Sequence, residues 1–403
     1  MPGNLVAADG KRAAVAPGST LAAAGRYSGR PTLPANVRVH HWITDPADLA
    51  ARIAHRPARV GLDTEFIRER TYWPQLALVQ LAFDDPQGAP QVLLVDTLAP
   101  GMCAALAPML ADQAILKVMH SASEDIVALK RSCGVAPTPL FDTQIAAGLA
   151  GIGAGMGYQR LVQDLLGVAL AKGEQRSDWL RRPLSASQLE YAAYDVVYLD
   201  ALHAELAERL QARGRRSWLE EDSARLAQGA DEQGERWPHL ALRSAQFLDV
   251  PAQHRLLRLL RWRDAYARSS DRPRSWILDN ELATSLARNP PIDRDALKRQ
   301  LDAIPKSPRS LVDALWSALT TPLPDEAESP LPRNDERDKA TLRKLQDATA
   351  AVAGELGLPD GVLASRRWLE ALLDGRDWPG ALSGWRRAQL EARLQPLLAA
   401  TEA

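Results

Sequence analysis

The stretch SASQLEYAAYDVVYLDALHAEL, residues 185–206, decides how this chain is to be read. Its pattern is that of one long helix. Ser185 followed by Gln188 makes a capping-box start. Leu189, Ala192, Ala193, Val196 and Leu199 then recur at helical spacing. Tyr191 and Asp195 are four residues apart and share one face, one turn above the other. A carboxylate there can hold a cation while the phenol orients an attacking water. By itself such a pair is more often a half-buried aromatic beside a solvated charge. Its meaning depends on carboxylates elsewhere.

Those carboxylates occur upstream. RVGLDTEF, residues 59–66, reads as a strand with Asp63 and Glu65 on one side and Thr64 on the other. The preceding residues are mostly apolar, so the pair stands at the carboxyl end of a buried strand. Unpaired carboxylates there are costly unless an ion neutralises them. Further on, the strand ILKVMH runs into a helix capped by Ser121 or Ser123, with Asp125 in its first turn and His120 at the strand end. Complementing the helix dipole is the plain alternative for Asp125. Together Asp63, Glu65, Asp125, Asp195 and Tyr191 suit a two-ion phosphoryl-transfer site, in which two cations about 3.5–4 Å apart clamp the attacking and leaving oxygens. Oxygen donors favour Mg²⁺ or Mn²⁺ over zinc.

The rest of the chain sets the frame. Its 403 residues, formal net charge of −1 and two cysteines describe an ordinary globular protein of two or three domains without a disulfide framework, fitting a reducing cytoplasm. No apolar run approaches a membrane span. Residues 1–36, rich in Ala, Gly, Pro and Ser, read as a disordered leader or as the product of a misplaced start codon. VRVHHWI and the short helix DPADLAARIAHR open the ordered part. RVGLDTEF, QLALVQLAF and QVLLVDTL then follow one another without helices, as an antiparallel meander does. Alternating helices and strands come next, so the expectation is a mixed sheet flanked by helices. GIGAGMG, residues 151–157, follows a helical stretch and has Met156 where a dinucleotide loop needs its third glycine, so it is a helix–helix connection. AKGEQRSDWLRRPL is a polar loop whose Lys172, Arg176, Trp179, Arg181 and Arg182 either hold phosphates and a base or form a solvated loop with an anchoring Trp.

The C-terminal half contains a repeat. With Pro273 laid opposite Pro359, Ile277 matches Leu363, Leu282 matches Trp368 and Ala283 matches Leu369. Each unit reads as a long helix, a Pro-containing turn, a second helix and shorter helices. Residues 251–320 hold 13 Lys/Arg against 8 Asp/Glu, and residues 321–403 hold 11 against 14, so the first unit is the better nucleic-acid contact.

DTEF, HSASED and YAAYD, in that order, resemble the three exonuclease motifs of the DEDD superfamily in its tyrosine-bearing branch. DTEFIRERTYWPQLALVQL, LFDTQIAAGLAG, KGEQRSDWLRRPLS and EYAAYDVVYL are similar to the bacterial ribonuclease D family, and the two repeats resemble its HRDC modules. The resemblance implies an α/β RNase H-like exonuclease domain followed by two all-α HRDC domains. On that basis the boundaries are a leader at 1–36, exonuclease at 37–215, connector at 216–245, first HRDC at 246–325, linker at 326–336 and second HRDC at 337–403. It implies a metal-dependent 3′→5′ exoribonuclease that trims RNA 3′ ends, typically of tRNA precursors, and releases nucleoside 5′-monophosphates. Two divalent cations, Mg²⁺ or Mn²⁺, would be its cofactors.

Carried over by motif, Asp63, Glu65 and Asp195 hold the ion beside the attacking water. Asp63 bridges to a second ion with which Asp125 is associated, and Tyr191 orients the water. Thr64, Phe66 and His120 contact the terminal nucleotide, and Asp142 is structural support. The partner is RNA with a free 3′ end, with no membrane and no obligate protein partner, and the protein is a cytoplasmic monomer. A binding scaffold without catalysis would lack one of the carboxylates, and none is missing. A DNA-directed exonuclease would share the chemistry and differ in contacts to the 2′-hydroxyl.

Overall fold

The carboxylate-bearing strand lies inside a mixed sheet. The computed structural model describes residues 40–171, 173, 174, 176–229, 235–330, 336–375 and 378–399. The expected leader at 1–36 and Lys172 fall outside them. Among the described residues the strands are β1 (His40–Ile43), β2 (Arg59–Ile67), β3 (Gln75–Asp84), β4 (Pro90–Asp96), β5 (Leu116–Met119) and β6 (Leu140–Asp142). Their spatial order is β1-β4-β3-β2-β5-β6. The expected meander β2-β3-β4 is antiparallel. β1 joins β4 in parallel, and β5 and β6 extend the other edge in parallel. Between Glu65 and Phe66 the β2–β3 register slips. The slip leaves Ala77 as an extra residue on β3, a bulge, and the Ala77 carbonyl accepts a bond from Arg182 Nη2 at 2.8 Å.

Helices cover both faces. α1 (Pro46–Ile53), α2 (Met102–Ala111) and α3 (Ser123–Cys133) pack on the face formed by Val60, Leu62, Val79 and Leu81. α4 (Thr143–Leu149), α5 (Tyr158–Leu166), α6 (Ala186–Val197), α7 (Leu199–Ala212) and α8 (Arg216–Gly229) cover the opposite face. Strand alternation therefore sends Leu62 and Thr64 towards α3, and Gly61, Asp63 and Glu65 towards α6.

The structure corrects three local expectations and decides between the two readings of a fourth feature. The capping box at Ser185 forms, but the helix it starts ends at Val197, and Tyr198 (φ −100°, ψ 1°) separates α6 from α7. Gly61 faces this junction. A Cβ there would lie 3.1 Å from the Val196 carbonyl and 3.2 Å from Leu199 Cβ, so any larger residue would require the junction to shift by a few tenths of an ångström. Neither Ser121 nor Ser123 caps α3; the cap position is Ala122, without a side-chain bond. The carboxylate of Asp142 instead accepts the backbone N–H groups of Ser121 and Ala122, and those of Gln144 and Ile145 at the start of α4. The first 14 residues of the expected connector form α8, because Leu219, Ser223 and Ala227 share a face buried against the sheet domain. Of the two readings of the polar loop, the structure bears out the second, a largely exposed loop with an anchoring Trp. Trp179 is buried in the core, and Arg182 makes a bidentate pair with Asp96 at 2.6 and 3.0 Å. Neither is free to hold a base or a phosphate.

The repeats form two helical modules. α9 (Val250–Ser270), α10 (Arg274–Ile277), α11 (Asn280–Arg288), α12 (Arg294–Asp302) and α13 (Val312–Thr320) make the first. α14 (Glu336–Leu356), α15 (Arg366–Gly375) and α16 (Trp385–Ala399) make the second. The matched positions Ile277 and Leu363, and Ala283 and Leu369, are all buried. The expected linker at 326–336 begins as part of the first module. Glu326 pairs with Arg258 at 2.5 Å, and the preceding Asp325 pairs with Arg261 at 2.7 Å. Much of the basic excess of α9 is thereby neutralised internally.

Both modules dock on the sheet domain. Tyr72 and Trp73, in the β2–β3 connection, donate their backbone N–H groups to Asp271 at the end of α9, each at 3.0 Å. The second module shares one apolar cluster with α4–α8. Trp218 stacks on Trp385 with ring centroids 4.3 Å apart.

Candidate active site

The two faces of β2 explain how the carboxylates meet. Asp63 and Glu65 project towards α6, which presents Tyr191 and Asp195 one turn apart. Together these four line a cavity of about 510 Å³ with Thr64, His120, Ser121, Gln144 and the start of α5 from Gly157 to Arg160. Asp125 approaches from α3, on the other face. It is buried, and Thr64 Oγ1 donates to its Oδ1 at 2.5 Å. Thr64 therefore links the DTEF strand to the first turn of α3, and its hydroxyl is engaged within the protein.

The electrostatics reflect four like charges in a poorly solvated space. Burial pushes the Asp63 carboxyl far above its ordinary range, and Asp125, Asp195 and Glu65 push it further. Glu65 is raised to about 9 by burial, then by Asp195 and Asp125. Asp195 is raised to about 7 by burial, opposed by its interaction with the Tyr191 hydroxyl. Asp125 is raised to about 6 by burial, opposed by the Thr64 bond. Burial and the neighbouring carboxylates, Asp195 first, push the Tyr191 phenol upward, so it keeps its proton at neutral pH.

The donor set fits hard divalent cations. It is all oxygen, and a cation would relieve the mutual repulsion. Among the described residues no three such side chains are gathered tightly enough to ligate one ion as they stand. Ligation would draw the carboxylates in against the repulsion that now separates them.

Tyr191 is held on more than one side. A Cβ on Gly173 would come within 2.8 Å of Tyr191 Cδ2, so the polar loop lies directly on the ring. The ring centroid of buried Trp179 is 6.1 Å from that of Tyr191. The loop that looked like a phosphate binder thus supports the tyrosine.

Of the remaining expected residues, His120 lines the cavity with both nitrogens occupied. Nδ1 lies 2.9 Å from Thr143 Oγ1, and Nε2 donates to the Met156 carbonyl at 3.0 Å. Burial lowers its pKa, so it is neutral, and it offers a ring face rather than a free donor. Phe66 does not join the site; beyond the bulge it packs with the α1–α3 cluster. The sequence reading missed Gln144, Tyr158, Gln159 and Arg160. Gln144 Nε2 donates to the Met156 carbonyl at 2.9 Å, and Tyr158 Oη donates to the Tyr194 carbonyl at 3.0 Å. Tyr158, Gln159 and Arg160 directly follow the glycine-rich segment 151–157, and Gln144 stands in LFDTQIAAGLAG beside Asp142.

This geometry has known counterparts. A family model described as a 3′-5′ exonuclease matches residues 40–211, the whole sheet domain. A ribonuclease D of Xanthomonas oryzae pv. oryzae is 62% identical over 366 residues, covering 90% of this chain and 99% of the relative. The chain belongs to the ribonuclease D family. A ribonuclease D of Granulibacter bethesdensis is 36% identical over 366 residues, covering 86% of this chain and 89% of its own. The crystal structure of Escherichia coli RNase D, described as an exoribonuclease involved in structured RNA processing, superposes with a TM-score of 0.77 at 28% identity. It covers 90% of this chain and 99% of that one, so the similarity extends through the helical modules. The catalytic core of RRP6 from Trypanosoma brucei shares the fold, at a TM-score of 0.55 and 21% identity. This ribonuclease D family member is accordingly a 3′→5′ exoribonuclease with an α/β exonuclease domain and a helical C-terminal region.

Proposed function

We propose that the hydrolysis is carried by Asp63, Glu65, Asp125, Asp195 and Tyr191, acting with two divalent cations, Mg²⁺ or Mn²⁺. The observation that carries this reading is the convergence of Asp63, Glu65 and Asp195 on one cavity, with buried Asp125 behind it, close enough that these carboxylates raise one another's pKa. Bound cations would supply the positive charge that stabilises the phosphoryl-transfer transition state. Asp63, Glu65 and Asp195 would hold one ion and Asp63 and Asp125 the other. Tyr191, protonated and fixed by Gly173 and Trp179, would orient the attacking water towards the terminal phosphodiester and accept a share of its hydrogen bonding. Thr64 acts through Asp125, and the His120 ring borders the terminal nucleotide. The products are nucleoside 5′-monophosphates.

The substrate class is RNA with a free 3′ end, tRNA precursors in particular. The protein works as a cytoplasmic monomer. No described helix is long and apolar enough to cross a membrane. The domains follow the boundaries given above, with α8 assigned to the exonuclease unit and residues 325–330 to the first HRDC module.

A time course on a 3′-extended tRNA precursor labelled at its 5′ end tests this, with Mg²⁺ or Mn²⁺, with chelator, and with Asp63→Asn alongside. The expected result is a ladder shortening one nucleotide at a time, lost with chelator and in the variant. Full activity of Asp63→Asn with ions present would overturn the residue assignment. Preference for a matched DNA strand would overturn the substrate.

A further inference from the structure

A second cavity, of about 520 Å³, lies between the exonuclease domain and the second helical module. Its walls include Val127 of α3, Gln144 of α4 and Gly155 of the 151–157 connection on one side, and Val362, Trp368 and Arg386 on the other. We infer that this cavity is a subsite for one base of the RNA strand upstream of the 3′-terminal nucleotide, with Trp368 as its stacking platform. The inference rests on the exoribonuclease activity and adds a substrate contact to it.

Continuity with the catalytic cavity is the first argument. Gln144 lines both spaces. Ser121 lines the catalytic cavity and Ser123 the second one, from a single turn of chain. The glycine-rich segment forms the partition, with Gly157 on the catalytic side and Gly155 on the other. Its Met156 carbonyl is pinned by His120 and Gln144. A strand whose last nucleotide fills the first cavity meets the second on leaving it.

The chemistry of the walls selects a base over a phosphate. Arg386 bonds Asp222 at 2.5 and 2.8 Å, and Arg225 bonds Asp222 and Glu221, so both guanidinium charges are already matched. What remains is apolar surface and an indole. The volume falls in the range of single-ligand pockets. Stacking on an indole is indifferent to base identity, as removing nucleotides one after another from any sequence requires. The Arg386 guanidinium lies 5.2 Å from the Trp368 ring centroid, which fixes the ring from one side.

The repeat supplies an independent argument. Trp368 occupies the position matched by Leu282 in the first module, where the leucine is buried in that module's core. The second module puts a larger, half-buried ring there and directs it into the cavity shared with the exonuclease domain. Residues 337–403 hold 10 Lys/Arg against 9 Asp/Glu, so the module has no sizeable charge excess to hold phosphates, and a base pocket needs none.

The test uses the full-length protein with divalent cation and 5′-labelled single-stranded RNAs carrying one abasic residue at successive positions from the 3′ end. The expected wild-type result is two slow positions, one at the terminal nucleotide and one at a fixed distance upstream, the latter slowed about tenfold in single turnover. Trp368→Ala should slow unmodified RNA by a similar factor through KM and erase the upstream slow position, and Trp368→Phe should restore it. A wild-type profile with only the terminal slow position overturns the subsite. So does a Trp368→Ala protein that keeps the upstream one, or one that loses kcat on every RNA together with its unfolding midpoint. Failure of the wild type to shorten unmodified RNA would instead strike the exonuclease reading itself.

Discussion

Asp222 of α8 and Arg386 of α16, 164 positions apart, form a buried bidentate ion pair at 2.5 and 2.8 Å. The indole of Trp385 also donates to Asp222, at 3.1 Å. This pair sits where the exonuclease domain and the second module share one core, so the module is built into the domain rather than tethered to it. Removing Asp222 leaves the buried Arg386 charge without its carboxylate, whereas removing Arg386 leaves Asp222 still paired with Arg225. Asp222→Ala should therefore cost about 3–5 kcal/mol and Arg386→Ala less. Denaturant unfolding followed by Trp fluorescence, which reports the Trp218–Trp385 stack, checks this. A loss below about 1 kcal/mol for Asp222→Ala would mean that water screens the pair.

Asp63→Asn should remove hydrolysis by a factor of about a thousand or more. In chelator it should also raise the thermal midpoint, because burial and the neighbouring carboxylates hold the Asp63 carboxyl far above its ordinary range, so folding must take up a proton that Asn does not need. Matched melting curves with and without Mg²⁺ decide the point. A lowered midpoint in chelator would mean that the carboxylate stabilises the ion-free fold.

Gly173→Ala places a methyl group where Tyr191 Cδ2 would be 2.8 Å away. Displacing that ring should lower kcat about ten- to a hundredfold. The polar loop lies outside the sheet core, so the unfolding midpoint should hardly move. Equal losses in kcat and stability would contradict the positioning role.

Lys117 is fully buried on β5, an unusual place for a lysine. Its ammonium donates to the carbonyls of Asp112, Ile115 and Thr138 at 2.8, 2.8 and 2.5 Å. Lys117→Met keeps the volume and strands those three acceptors, so it should cost about 2–5 kcal/mol. Urea unfolding of the two proteins measures the difference.

His239 lies buried against Ser329, its Nε2 3.0 Å from the serine hydroxyl, and ties the chain before the first module to the segment after it. Burial, then the neighbouring His254 and Arg261, lower it to about 4. The unfolded histidine takes a proton near pH 6.5, so between 6.5 and 4 the unfolded chain binds a proton that the folded one refuses. Stability from this group is complete above pH 6.5 and falls as the pH drops towards 4, by about 2 kcal/mol after allowance for screening. His239→Gln should flatten that part of the stability–pH curve.

Several features could be read without a structure because they depend on near neighbours in the chain. The capping box at Ser185, the side-by-side placement of Asp63 and Glu65, the β2-β3-β4 meander and the matched Pro273 and Pro359 all follow from spacing. The same holds for the five polar residues proposed for catalysis, whose types and order carry the family resemblance. Tyr198 shows where such reading stops. Nothing in LEYAAYDVVYLDALHAEL marks a break, and the helix divides opposite Gly61, over a hundred residues earlier.

What the sequence by itself determined, then, is the set of elements and the chemistry they could support, because periodicity and residue type act over one or two helical turns. The tertiary structure alone decided which polar groups are already engaged. Asp96 satisfies Arg182, Thr64 holds Asp125, and Asp325 and Glu326 neutralise the arginines of α9. It also decided that Trp179 supports Tyr191 instead of binding a base, and that the second module completes the exonuclease core. These outcomes depend on burial and on pairing between distant residues, and a buried polar group takes whichever partner the packing brings within reach.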